Sequence, residues 1–87
     1  MRLCFLYHPV SEHRRAVEEY AREFARRRGQ APELLSLDTK PGAQMAQLYD
    51  IVQYPALLVI DDKGGLAKYW QGDTLPLMDE VSGYLRA

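Results

Sequence analysis

The chain has 87 residues, a formal net charge of -1 and an apolar fraction of 47%, which fits one small globular domain over residues 1–87 with a thin core and leaves no room for a second. Its single cysteine excludes an internal disulfide framework and, without zinc-type spacing, points to a reducing setting in which packing supplies the stability. The near-zero charge gives no general field for nucleic acid and no segment approaches membrane-spanning length, so the expectation is a cytoplasmic protein with neither nucleic acid nor membrane as partner.

Arg2 to Tyr7 is an almost unbroken apolar run, the pattern of a parallel strand covered on both faces. It is too short for a signal-peptide core and is interrupted by His8-Pro9. Val17, Tyr20, Ala21, Phe24 and Arg28 then recur at i, i+3, i+4, i+7 and i+11, the stripe of an amphipathic helix, with Glu18–Arg22 and Glu23–Arg27 as solvent-side pairs. Ser11 is the predicted N-cap, Glu12 places negative charge in the first turn, Arg26 to Arg28 crowd the last turn, and Gly29 ends the helix.

Pro32 precedes a second strand over Glu33 to Asp38, followed by a loop at Thr39 to Gly42. A helix between two strands implies a parallel pair joined by a right-handed crossover. A shorter helix is predicted over Ala43 to Tyr49. Ala56 to Ile60, the turn Asp61 to Gly65 and Leu66 to Trp70 read as an antiparallel hairpin. Asp73 or Thr74 can cap a final helix ending near Leu85, with either Leu77, Val81 and Tyr84 or Met78, Val81 and Leu85 facing inward. The order β-α-β-α-β-β-α is that of an α/β domain with a four-stranded mixed sheet flanked by helices.

This order, together with YDIVQYPALLVI at Tyr49 to Ile60, resembles the thioredoxin-like superfamily, and most of all its small glutaredoxin-type members. The resemblance implies a cis peptide at Tyr54-Pro55, directly before a strand, where a proline removes no interior ladder bond. It also implies that the loop between the first strand and the first helix is where a redox Cys-x-x-Cys, or a single cysteine, would lie, activated by the helix N-terminus. Here that tetrad is Ser11-Glu12-His13-Arg14. A serine hydroxyl holds its proton far too tightly at neutral pH and cannot form a disulfide with a substrate. Dithiol exchange is excluded in this register, and the expectation is a non-catalytic protein with no cofactor.

What the resemblance leaves is a cleft between Val10 to Arg14, Gln53 to Pro55 and Gly72 to Thr74, with Ser11, Glu12, His13, Arg14, Tyr54, Pro55, Gly72 and Asp73 as the candidate binding residues. Its expected occupant is an extended peptide of a protein partner, or a small thiol-bearing or anionic ligand. The segment WQGDT keeps one glycine and one acid of the glutaredoxin-type glutathione turn, a partial match only.

Rival readings attach to several of these residues. Cys4 is a small buried hydrophobe or a monothiol redox centre, and burial would make it the former. Ser11 is explained by capping alone, and a Ser11–His13 hydrolase pair lacks nucleophile-elbow glycines. His8, His13, Cys4 and Glu12 are metal-capable without a recognised ligand spacing, so no metal is expected. The arginines of the first helix interleave with Glu12, Glu18, Glu19 and Glu23, which reads as intrahelical pairing more than a phosphate-binding face. A monomer or weak homodimer is expected, an oligomerisation module being the structural alternative.

Overall fold

The computed structural model describes residues 1–85. Its elements are β1 (Arg2–Tyr7), α1 (Arg14–Arg28), β2 (Glu33–Ser36), α2 (Lys40–Leu48), β3 (Ala56–Ile60), β4 (Leu66–Gln71) and α3 (Met78–Leu85). The strands form one mixed sheet in the order β2-β1-β3-β4, with β1 parallel to β2 and antiparallel to β3, and β3 antiparallel to β4. This is the predicted α/β architecture.

Alternation along the two central strands sorts their side chains into two cores, because successive Cβ atoms point to opposite faces of a sheet. Leu3, Phe5, Leu57 and Val59 join Val17, Ala21 and Phe24 of α1 and Val81 of α3. Cys4, Leu6, Ala56, Leu58 and Ile60 join Ala46 of α2 and Ile51 on the other face. The sheet is therefore sandwiched, and all five residues of β3 are buried. Phe5 and Phe24, both fully buried, each contribute roughly 3 kcal/mol of transfer free energy.

Three helix starts differ from the sequence reading, each for a local reason. α1 begins at Arg14, its N-cap position is His13 without a side-chain cap bond, and no acid lies in its first turn. Ser11 is therefore not the cap: its hydroxyl donates to the His8 carbonyl at 2.5 Å, and Glu12 lies in the turn before the helix. α2 takes in the expected loop Lys40 to Gly42, because Thr39 caps it by accepting the Gly42 N–H at 3.3 Å and Pro41 falls in the first turn, where it loses no helical bond. Strand β2 stops at Ser36 rather than Asp38, since the Ser36 hydroxyl and carbonyl are drawn into the turn by Asp38 and Thr39.

The third helix starts at Met78, not after Asp73 or Thr74. Pro76 disfavours helical backbone at Leu75, and the Leu77 carbonyl accepts the first amides, from Glu80 at 3.1 Å and Val81 at 3.2 Å. Leu77 consequently lies outside the helix and is exposed, while Met78, Tyr84 and Leu85 pack around buried Val81. Glu18 also differs: it turns back to Arg14 at 3.4 Å, and Glu23 takes both Arg26 and Arg27.

Candidate functional site

Three connecting segments meet at one end of the sheet: His8 to His13 after β1, Ile51 to Pro55 before β3, and Gly72-Asp73 after β4. The Tyr54-Pro55 peptide is cis, and Pro55 is fully buried. The Pro55 carbonyl accepts the Gly72 N–H at 3.0 Å, so the hairpin continues one rung beyond its strands and carries Gly72 against Pro55. Gly72 has φ 101°, a conformation that L side chains rarely adopt.

Tyr54 is half-buried, and its hydroxyl is committed to the Ile51 carbonyl at 2.7 Å. Its ring meets the His8 imidazole edge-on, with centroids 5.3 Å apart, and His8 in turn lies 6.2 Å from the His13 ring. The His8 main-chain N–H donates to His13 Nε2 at 3.2 Å. Burial pulls the His13 pKa down from its ordinary value, the neighbouring His8 adds to this, and Asp73 opposes it. Among the described residues no main-chain partner engages the N–H or C=O of Tyr54.

The aligned tetrad is thus divided. His13 turns toward His8, which packs on Tyr54, and toward Asp73. Ser11 and Arg14 instead line an open groove of about 490 Å³ with Pro9, Val10, Arg15 and Glu18, which does not reach Tyr54, Pro55, Gly72 or Asp73. Glu12 is exposed in the turn between them. The cationic side of that groove is already compensated, Arg14 pairing with Glu18 and Arg15 with Glu19 at 3.3 Å.

The arrangement supplies no activated hydroxyl, because Ser11 donates to a carbonyl and His13 Nε2 is occupied by an amide. Cys4 lies on the face covered by α2, opposite to α1, with no exposed surface. Burial pushes its thiol up to about 11, helped by the Glu33 carboxylate, whose Oε2 accepts from Sγ at 3.5 Å. Among the described residues no group of three or more His, Cys, Asp or Glu is placed to hold a metal. Nor is any helix among them long and apolar enough to cross a membrane.

Sequence reasoning anticipated the segments but not the partnership of His8 with His13 and Tyr54. The available signal was two histidines five residues apart across Pro9, a turn that can bring them together.

No family model matches the sequence, and no curated protein matches it. The fold is nevertheless thioredoxin-like. The chain superimposes on thioredoxin 1 from the thermophilic eubacterium Thermosipho africanus TCF52B with a TM-score of 0.74, 11% identity, and coverage of 99% of this chain and 96% of that one. With the pneumococcal exposed lipoprotein thioredoxin from Streptococcus pneumoniae strain TIGR4 the TM-score is 0.64 at 18% identity, covering 98% and 84%. At these identities the likeness defines the scaffold alone.

Proposed function

We propose that this chain is a redox-inactive binding module on the thioredoxin-like scaffold, taking an extended peptide of a protein partner against the segment before β3. The observation that carries the reading is the position of its only thiol: Cys4 is sealed inside the sheet with its pKa at about 11, while the loop before α1 has no cysteine. A thiolate is the species that exchanges, and this thiol is held neutral and out of reach.

The open main chain of Tyr54 favours a peptide, since an extended segment adds affinity by pairing with free N–H and C=O groups. Exposed Val52, two residues before it, offers an apolar contact for the peptide's side chains. A small anion is less well served, because the arginines nearest Ser11 are already paired.

The test is selection of binders from a random peptide display library, followed by titration of the ¹⁵N-labelled chain with a selected sequence. Amide shifts are expected at Val52 to Tyr54, Gly72 and Asp73, with affinity reduced on the order of tenfold in Val52→Asp, as for truncation of an interface contact of about 1–2 kcal/mol. Shifts confined to the β4 edge or to α2 would overturn this reading.

A further inference from the structure

We propose that His13 is a pH-operated latch on the loop between β1 and α1: neutral, its Nε2 accepts the His8 main-chain N–H and holds the loop closed; protonated, it lets go. The geometry demands the neutral ring, since an imidazole nitrogen that carries a proton has no lone pair left to accept with. At 3.2 Å the bond is made, which assigns the remaining ring proton to Nδ1.

His8 is clasped twice. Its N–H goes to His13, and its C=O accepts the Ser11 hydroxyl at 2.5 Å. Only the first clasp involves a group that titrates near neutrality, so acidification releases one and spares the other.

The groups facing His13 set the direction. The His8 imidazole on the same loop stands against Tyr54 from the segment before β3, and Asp73 approaches from the turn after β4. Glu12 and Arg14 are its sequence neighbours. Burial and His8 disfavour charge on His13, Asp73 favours it, and the net effect is a lowered pKa. The latch is accordingly closed at neutral pH and opens on acidification below the ordinary imidazole range, where the new imidazolium is drawn toward the Asp73 carboxylate. Because His8 packs on Tyr54, release would also alter the proposed peptide site, and that consequence alone rests on the function proposed above.

The test uses the free chain with no peptide added. Hydrogen exchange of the His8 amide, corrected for the intrinsic pH dependence of exchange, is followed from pH 7.5 to pH 5 in the parent and in His13→Gln, whose side-chain oxygen accepts without titrating. The parent should lose protection at His8 on the order of tenfold, the effect of one net hydrogen bond, and lose the scalar coupling between the His8 amide nitrogen and His13 Nε2. His13→Gln should keep its protection throughout. Equal protection of the parent at both pH values, or the same loss in His13→Gln, overturns the latch. Either result leaves the peptide reading to its own titration, and absence of peptide binding leaves the latch intact.

Discussion

Gly72 donates its amide to the Pro55 carbonyl at 3.0 Å while holding φ at 101°. That one bond carries the turn after β4 to the segment before β3, and with it Asp73 to the neighbourhood of His13. Gly72→Ala forces an L residue into a sparsely allowed region and should cost about 1–3 kcal/mol. For a chain of this size each lost kcal/mol lowers the melting temperature by roughly 4–8 °C. A melting temperature unchanged by the substitution would show that the rung is not held as described.

Two helical glycines should respond with opposite sign. A Cβ at Gly42 would collide with the Ser36 carbonyl oxygen, a backbone atom that cannot swing aside, whereas a Cβ at Gly83 meets nothing within 4 Å. Gly42→Ala should destabilise by about 3 kcal/mol, the upper end of ordinary overpacking. Gly83→Ala should stabilise by about 0.5–1 kcal/mol through helix propensity. Urea denaturation of both variants beside the parent measures the pair.

Cys4 should be nearly inert in the native protein. Its thiol at about 11, against an ordinary 9.0, lowers the thiolate fraction at pH 8 on the order of a hundredfold, and burial adds a barrier to access. Reaction with Ellman's reagent should therefore be at least about a hundredfold slower than in urea. Native reaction at the rate of a free thiol would instead support a monothiol role.

The strands were legible because residues 3–7 and 56–60 are apolar without interruption, as twice-covered strands must be. The α1 stripe was legible for the same kind of reason, Val17, Ala21 and Phe24 all ending buried. Helix starts were less so. Ser11, Asp73 and Thr74 have capping chemistry, but whether a hydroxyl or carboxylate caps depends on where the chain first turns helical. Here His8 claims the Ser11 hydroxyl and Leu75-Pro76 delays the last helix. At Thr39 the reverse holds: Lys40-Pro41-Gly42 looks like a loop and is a first turn. The candidate site was legible as three segments. Its division, with His13 inward and Ser11 and Arg14 on an outer groove, is a tertiary property that spacing does not encode.

Stability should fall in two stages on acidification. The folded-state pKa of His13 lies below its ordinary 6.5, so the unfolded chain takes up that proton first. The contribution is complete above about 6.5 and is lost as pH falls through that value toward the folded pKa. Glu33 is held below the ordinary carboxylate range chiefly by its hydrogen bond from Arg2. Its contribution is present above the ordinary carboxylate value of about 4.3 and is lost below it. Thermal unfolding from pH 8 to pH 3 should show both declines in the parent and only the lower one in His13→Gln. A flat profile between pH 7.5 and pH 5 would contradict the first.

The most direct measurement is dithiothreitol-driven reduction of insulin disulfides by the unmodified chain beside Ser11→Cys/Arg14→Cys. Arg14 N lies 3.4 Å from Ser11 O across one turn, so the two new sulfurs would share the end of α1 beside the groove. The unmodified chain should stay at the uncatalysed background while the double variant rises well above it. Turnover by the unmodified chain would contradict the account, since it would mean that sulfur exchange proceeds on this scaffold without a thiol before α1.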